Sequence, residues 1–246
     1  MKSVVIDFSP ESAARYRRDY AMVAIDVIRA TTTLATGVAS GRQCYVASSV
    51  KSAFARAARL DHALLAGESG GEMPGGFDIT NSPAALALRA DIERPMVLLS
   101  STGTQLLTNA RGCEAVYVAC FRNHRATAEH LARHHARVAV IGAGTKGEFR
   151  EEDQICCAWI AGRLMSCGYV AENARTRQVV ERWQDAPAGH CLISNSVAYL
   201  RRTNQLNDLD FVLTHVGDLD TVIELDDDQA VPVDSQPLPR VAVAGA

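Results

Sequence analysis

Residues 21–39 read AMVAIDVIRATTTLATGVA and carry the clearest fold signal in the chain. The first part, 21–28, is an almost continuous apolar run, and the second part, 32–39, is rich in small residues. A continuously apolar strand is typical of a parallel sheet that is buried on both faces. We therefore predict a strand over 21–28 that leads into a helix over 32–39.

The same alternation extends on both sides of this segment. Short runs rich in Val and Ile predict further strands at 3–8, 44–47, 63–66, 96–100, 115–120 and 138–142. Helices are predicted between them at 50–60, 83–89, 105–109 and 125–133, and then at 151–167, 174–183 and 197–206. This order predicts a three-layer α/β/α fold around a largely parallel or mixed sheet, with a helix-rich C-terminal third.

No linker divides the chain, so we predict one domain over residues 1–246. Three of the eight prolines fall in the last fifteen residues, and three consecutive aspartates precede them at 226–228. Within sheets, proline is mostly confined to edges. We therefore predict a last short edge strand and a poorly ordered tail over about 229–246.

Composition and charge narrow the class of function. The 246 residues carry 25 Lys and Arg against 28 Asp and Glu, which argues against a nucleic-acid binder that depends on phosphate neutralisation. No apolar run approaches the roughly 20 residues that span a bilayer, and no signal peptide is evident. The seven cysteines are scattered without C-x-x-C spacing, as expected of reduced, buried thiols. We predict a cytoplasmic protein with no nucleic-acid or membrane partner.

Polar residues concentrate in the loops that follow the predicted strands, where ligands bind in open α/β sheets. Asp26 and Arg29 lie at the end of the second predicted strand, and Thr31, Thr32 and Thr33 open the next helix. Threonines are poor residues to begin a helix unless their hydroxyls and the free N–H groups are occupied. An oxyanion beside a guanidinium would occupy them, whereas the alternatives are a structural ion pair between Asp26 and Arg29 or an Asp26 that caps the next helix.

Two further loops contain small and hydroxyl-bearing residues. Residues 100–104, SSTGT, carry more hydroxyls than helix capping requires, and they leave an anion site and a simple capped turn both open. Residues 142–147, GAGTKG, match G-x-G-x-x-G, which leaves a dinucleotide site open. Against that site, the acidic residues 151–153 would repel a pyrophosphate, and no strand follows to carry the ribose-binding acid.

Carboxylates in the same loops favour a divalent cation. The candidate ligands are Asp26, Glu68, Glu152 and Asp153. Mg²⁺ prefers oxygen ligands and usually takes one or two carboxylates together with water and substrate phosphate. For Glu152 and Asp153, the alternative is favourable charge at a helix N-terminus.

Taken in order, these motifs resemble the 2-phosphosulfolactate phosphatase family, which are magnesium-dependent hydrolases of the coenzyme M pathway. The matching segments are 25–33 (IDVIRATTT), 67–68 (GE), 76–78 (GFD), 81–83 (NSP), 101–104 (STGT), Asn123, 142–144 (GAG) and 152–153 (ED). The pattern departs at Thr80 and Thr102, where the family carries Gly and Asn.

The resemblance implies Mg²⁺-dependent hydrolysis of the phosphate ester of a small 2-hydroxy acid, with 2-phosphosulfolactate giving sulfolactate and phosphate. It implies catalytic roles for Asp26, Arg29 and Glu68, with Asp26 either the nucleophile or a ligand of the metal. The substrate-binding candidates are Thr31, Thr32, Thr33, Asn81, Ser82, Ser101, Thr102, Gly103, Thr104, Asn123, Gly142 and Gly144. A dinucleotide-dependent oxidoreductase that uses 142–147, a non-catalytic binder of phosphorylated metabolites, and a homodimer all stay open.

Overall fold

The computed structural model describes residues 1–145 and 147–233. Within them the chain forms ten strands and nine α-helices. The strands are β1 Ser3–Phe8, β2 Ala21–Ile25, β3 Cys44–Ala47, β4 Leu64–Gly67, β5 Met96–Leu99, β6 Ala115–Ala119, β7 Arg137–Gly142, β8 Val170–Ala171, β9 Ile223–Asp226 and β10 Gln229–Pro232. The helices are α1 Ala30–Ala39, α2 Val50–Ala57, α3 Pro83–Ala87, α4 Gly103–Asn109, α5 His124–His134, α6 Glu151–Ser166, α7 Ala174–Trp183, α8 Asn195–Arg202 and α9 Leu206–Thr214. Two 3₁₀ segments lie at Pro10–Tyr16 and Ala188–Ile193.

The strands form one mixed sheet in the order β4-β5-β3-β10-β9-β6-β2-β7-β1-β8. It consists of two parallel blocks, β4-β5-β3 and β6-β2-β7-β1-β8, joined by the β9–β10 hairpin. The hairpin is antiparallel within itself and to both neighbouring strands. Three successive antiparallel pairings reverse the strand direction, so the two blocks run in opposite directions.

Helices cover both faces of the sheet, which confirms the three-layer α/β/α fold. All five residues of β2 are buried, and alternate side chains of a strand point to opposite faces. Met22 and Ala24 join one apolar core with Leu34 of α1, whereas Val23 and Ile25 join another core that includes α6. This double burial explains why the strand lacks an alternating polar pattern.

The largest correction to the sequence prediction concerns the C-terminal strands. The β9–β10 hairpin lies in the middle of the sheet, where β10 pairs with β3 and β9 pairs with β6, so the prediction of an edge strand is wrong. Pro232 is tolerated because only Gln229 and Ala230 of β10 pair with β3. Residues 229–233 are therefore placed in or beside the sheet, and the part of the predicted tail from 234 onward lies outside the described residues.

Several element boundaries also differ from the prediction. The second strand ends at Ile25 instead of residue 28, and α1 begins at Ala30, because the chain turns at Asp26. The predicted helix 197–206 is replaced by α8 and a separate α9. Each boundary depends on contacts with distant segments, which local apolar patterns do not contain.

All seven cysteines carry free thiols, and five of them are buried, whereas Cys113 is partly exposed and Cys167 is exposed. None of the described helices combines the length and the apolar character that crossing a membrane requires. The single domain, the cytoplasmic location and the homodimer stay predictions.

Candidate active site

The loops after β2, β4 and β5 meet at one place, although they come from blocks of opposite direction. A Cβ added at Gly103, the first residue of α4, would lie 2.3 Å from Oδ2 of Asp26 and 2.6 Å from Cβ of Ala30. Glu68, which follows β4, accepts hydrogen bonds from the backbone N–H of Ser101 at 2.6 Å and from its Oγ at 2.7 Å. The sheet therefore places Glu68 and the start of α4 beside Asp26.

The first turn of α6 adds two more carboxylates to this place. Glu152 and Asp153 are only 1% and 4% exposed. Oδ1 of Asp153 accepts a hydrogen bond from the backbone N–H of Val27 at 2.9 Å, which ties α6 to the loop after β2. Gly142 allows this approach, because its added Cβ would lie 3.2 Å from Cβ of Asp153. We call Asp26, Glu68, Glu152 and Asp153 the acidic cluster.

Burial and mutual repulsion change the acidity of the cluster. Burial raises the pKa of Asp26 to about 7; the N–H of Ala30 lowers it, the charges of Glu68 and Glu152 raise it, and Arg29 lowers it. Burial, followed by the charges of Glu152 and Asp26, raises the pKa of Asp153 well above its usual range. Burial also raises the pKa of Glu152, against the hydroxyls of Ser196 and Ser194. These carboxylates are therefore poised to take up a proton or a cation.

The acidic cluster has the oxygen donors that Mg²⁺ prefers. Oε2 of Glu152 is buried and has no hydrogen-bond partner among the described residues, so it is an available ligand. As the side chains stand, no three His, Cys, Asp or Glu residues of the described chain form a metal-binding group. The donor chemistry fits the ion, whereas the binding of Mg²⁺ stays a prediction.

Arg29 forms a buried ion pair, but with Asp208 of α9. Its Nη1 donates to Oδ2 of Asp208 and to Oε1 of Gln205. Asp208 also accepts hydrogen bonds from Oγ of Ser82 and, at 3.2 Å, from the backbone N–H of Ala84. Within the described chain the guanidinium makes no other hydrogen bond, so its Nε and Nη2 groups stay available to a ligand.

Asp208 and Gln205 are functional candidates that the sequence analysis missed. Asp208 is 2% exposed, although it belongs to an otherwise ordinary amphipathic helix with Leu209 and Val212 on its buried face. A carboxylate on the apolar face of an amphipathic helix is the signal that could have identified it, since a buried charge requires a partner.

The hydroxyls of the threonines at the start of α1 bond to backbone oxygens of the loop that precedes the helix. Oγ1 of Thr31 donates to the backbone oxygen of Asp26, and Oγ1 of Thr32 donates to that of Val27. Oγ1 of Thr33 is bonded to the backbone oxygens of Arg29 and Asn81. All three residues are at most 1% exposed. They explain how the helix begins without an oxyanion, so direct contact with a ligand stays a prediction that would require these bonds to break.

The other predicted donors fall into two groups. Asn81 lies near α1, and its Oδ1 is buried without a hydrogen-bond partner among the described residues. Ser82 caps α3 and contacts Asp208, and Ser101 contacts Glu68. Thr102 precedes α4 and is partly exposed. Ser82 and Ser101 therefore contact the surroundings of Arg29 and the acidic cluster, and substrate binding by all four residues stays a prediction.

Thr104 and Asn123 have structural roles. Oγ1 of Thr104 donates to the backbone oxygen of Ser100 and accepts from its N–H, which closes the first turn of α4. The Asn123 amide accepts from the N–H of Cys120 and donates to the oxygens of Val118 and Thr221. Asn123 is fully buried, and these bonds already occupy its amide, so contact with substrate would require them to break and stays a prediction.

The glycines of 142–147 shape the loop before α6. A Cβ at Gly142 would lie 2.4 Å from the ring of Phe149, and Gly144 has a φ of +62° and lies close to the backbone oxygen of Glu148. The helix that follows begins with buried carboxylates, which would repel a pyrophosphate. The loop therefore does not support the dinucleotide site.

The fold and the acidic cluster define an α/β/α protein with a buried group of carboxylates between the loops of a mixed sheet. The 2-phosphosulpholactate phosphatase family matches residues 7–228, and the chain belongs to this family. A probable 2-phosphosulfolactate phosphatase of Synechococcus sp. (strain CC9605) is 30% identical over 230 residues, which cover 89% of this chain and 91% of that protein.

Two further relatives match a shorter segment. A probable 2-phosphosulfolactate phosphatase of Carboxydothermus hydrogenoformans is 36% identical over 158 residues, covering 64% of this chain and 65% of that protein. One of Pseudothermotoga lettingae is 34% identical over 157 residues, covering 64% of this chain and 66% of that protein. The chain therefore spans slightly less than two thirds of the length of these two relatives.

Proposed function

We propose that this protein is a Mg²⁺-dependent phosphatase that hydrolyses 2-phosphosulfolactate to sulfolactate and phosphate. The observation that carries the proposal is the acidic cluster beside Arg29 in a member of this family. A site with buried carboxylates and one cationic side chain is suited to a metal ion and an anionic substrate together.

The carboxylates of the acidic cluster would hold the metal. Glu152 contributes the unpartnered Oε2, and Asp26 and Asp153 contribute carboxylates whose pKa values are raised by burial. When bound, Mg²⁺ would polarise the phosphoryl group and offset its charge. Because the ligands must be deprotonated, binding of the metal releases protons and strengthens as the pH rises.

Arg29 and the start of α4 would bind the phosphoryl oxygens. Asp208 and Gln205 hold Nη1 of Arg29, which leaves Nε and Nη2 as a paired donor edge. Gly103 is the first residue of α4, so its N–H has no partner within the helix and can donate to an anion. Preorganised donors of this kind stabilise the charge that develops in the transition state.

We assign Asp26 the role of a metal ligand or general base rather than that of a nucleophile. Its Oδ1 already accepts from the N–H of Ala30 at 3.2 Å, and its pKa of about 7 suits proton transfer near neutral pH. As a base, it would take a proton from water while the water oxygen bonds to phosphorus. The bond from phosphorus to the ester oxygen then breaks, and the proton that Asp26 took from the water returns to that oxygen to give the 2-hydroxy acid.

The test is phosphate release from 2-phosphosulfolactate in Mg²⁺ and in excess EDTA. We expect turnover that EDTA abolishes and that Mg²⁺ restores. Equal rates under both conditions would remove the metal from the proposal. Substrate binding without phosphate release would support the non-catalytic binder, and NAD(P) binding without phosphatase activity would support the oxidoreductase.

A second measurement decides the role of Asp26. The reaction is quenched with acid during turnover, and the protein is digested and examined by mass spectrometry. We expect an unmodified Asp26. A phosphorylated Asp26, or its hydroxylamine derivative, would establish a covalent acyl-phosphate and overturn our assignment.

A further inference from the structure

A cavity of about 780 Å³ lies next to the acidic cluster. Ser101, Thr102 and Gly144, which belong to the loops around the cluster, form part of its lining. The opposite part is formed by the end of β1, the 3₁₀ segment Pro10–Tyr16 and the start of α7. A ligand whose phosphate lies at the acidic cluster could therefore extend into this cavity.

Two arginines line this cavity and are held by one buried carboxylate. Nη1 of Arg15 lies 3.3 Å from Oδ2 of Asp7, and Nη1 of Arg175 lies 3.3 Å from Oδ1. Asp7 also accepts from the hydroxyl of Tyr16 at 2.8 Å and from the N–H of Phe8 at 2.9 Å. Its two oxygens therefore already have four donors, and it joins the two arginines at one wall of the cavity.

The arginine side chains keep most of their donor groups open to the cavity. The side chains of Arg15 and Arg175 are 72% and 55% exposed, whereas that of Asp7 is 8% exposed. Glu11 is the other carboxylate of the lining, and it is exposed. A guanidinium donates through a planar fork that fits the oxygens of a sulfonate or carboxylate, and it loses less hydration than an ammonium does.

We propose that Arg15 and Arg175 form a second anion subsite that binds the sulfonate of the substrate. The proposal rests on the proposed function, because the phosphate must lie at the acidic cluster. In 2-phosphosulfolactate the carboxylate is bonded to the carbon that carries the phosphate ester, whereas the sulfonate is one methylene further away. Of the two acid groups, the sulfonate extends further from the phosphate, so we assign it to the neighbouring cavity.

The test compares three esters: 2-phosphosulfolactate, 2-phospholactate, which lacks the sulfonate, and phenyl phosphate, which lacks both acid groups. The variants are Arg15→Gln and Arg175→Gln, with Arg182→Gln as the matched control, because Arg182 lies on the same helix as Arg175 but not at the cavity. Since both arginine side chains are largely exposed and Asp7 keeps three of its four donors in each variant, each variant is expected to fold.

We expect the ratio of kcat/KM for 2-phosphosulfolactate to that for phenyl phosphate to fall at least about tenfold in each cavity variant, mainly through KM. The ratio stays at the wild-type value in Arg182→Gln. An unchanged ratio in both cavity variants would overturn the proposal. So would an equal fall for 2-phospholactate, because that result assigns the arginines to the carboxylate.

Calorimetric binding of sulfolactate separates this proposal from the proposed function. If wild-type protein hydrolyses none of the esters, the proposed function fails. The subsite is then still supported if sulfolactate binds the wild type and binds Arg15→Gln and Arg175→Gln at least about tenfold more weakly. It is rejected if sulfolactate binds all three proteins equally or binds none of them.

Discussion

Two groups of carboxylates in this molecule have opposite surroundings. In the acidic cluster, Asp26 and Asp153 lie beside other carboxylates, and burial raises the pKa of both. Asp91, in the loop before β5, is instead bonded to three arginines, Arg42, Arg89 and Arg94.

The pKa of Asp91 is accordingly held well below its usual range, first by the hydrogen bond from Arg89 and then, against some burial, by Arg42. A carboxylate that stabilises the fold receives its positive charge from the chain itself. The acidic cluster has fewer cationic side chains beside it than carboxylates, so the remaining positive charge must come from a proton or a bound cation. The two groups are therefore expected to respond differently to the same chemical change.

The largest expected effect is on catalysis, for Asp26→Asn. We expect kcat to fall about 10³-fold, within the range for losing a general base, because an amide neither binds Mg²⁺ as well nor accepts the proton. The free energy of unfolding at pH 7.5 should be unchanged or higher, since the amide removes a buried charge. Steady-state kinetics and urea unfolding measure the two quantities, with exposed Asp19→Asn as the control. A destabilised variant that keeps its activity would contradict the comparison.

Asp208→Asn tests a paired carboxylate within the site. Removing one partner of a buried ion pair costs about 3 kcal/mol or more, so the variant should be strongly destabilised. Its activity should also fall, because Arg29 loses the group that holds Nη1. Urea unfolding measures the change, and Asp210→Asn, exposed on the same helix, should stay within about 0.5 kcal/mol of wild type. A stable, active Asp208→Asn protein would show that the pair is dispensable.

Asp91→Asn should lower the stability and leave the activity unchanged, which is the reverse of the result expected for Asp26→Asn. Three partly exposed ion pairs are lost together, and we expect a destabilisation of about 1–2 kcal/mol. Activity per folded molecule should stay within about twofold of wild type, because none of the three arginines contacts the acidic cluster. Thermal unfolding and initial rates check this. A loss of activity without a loss of stability would assign Asp91 to the site.

The smallest expected effect is the pH dependence of stability in EDTA. The folded-state pKa of Asp26, about 7, lies above its ordinary value of 3.8, so its contribution to stability is present at low pH and is lost as the pH rises through 7. The contribution of Asp91 is present above its ordinary value and is lost as the pH falls below about 4.

Urea unfolding from pH 5 to 8 should therefore show the free energy of unfolding of the wild type fall relative to that of Asp26→Asn, by roughly 1 kcal/mol per pH unit near the steepest point. The comparison with the variant removes the contributions of His124 and His130, whose pKa values are lowered by burial and which stabilise the fold as the pH rises. Asp91→Asn should show the same fall relative to Asp26→Asn as the wild type does. A difference that rises with pH would contradict the raised pKa of Asp26.

Local patterns were sufficient for much of the fold. The apolar runs of β1, β2, β3 and β7 and the long helix α6 follow from residue type and spacing, because burial on both faces leaves a continuous apolar signature. The sequence also showed that Asp26 lies near the end of a strand. It did not show that β2 ends at Ile25, three residues before the predicted end. The turn depends on the bonds that Asp26 makes with Ala30 and Thr31, which no apolar pattern encodes.

The amino-acid order therefore specifies the α/β alternation, the acidic residues and the motifs of the family. It does not reveal that the β9–β10 hairpin lies between two parallel blocks. It also does not reveal that Gly103, at the start of α4, lies against Asp26, or that Arg29 pairs with Asp208, 179 residues later. Nor does it reveal which carboxylates have raised pKa values. These properties arise from contacts between distant segments and from the burial those contacts produce, whereas the alternation and the motifs are local.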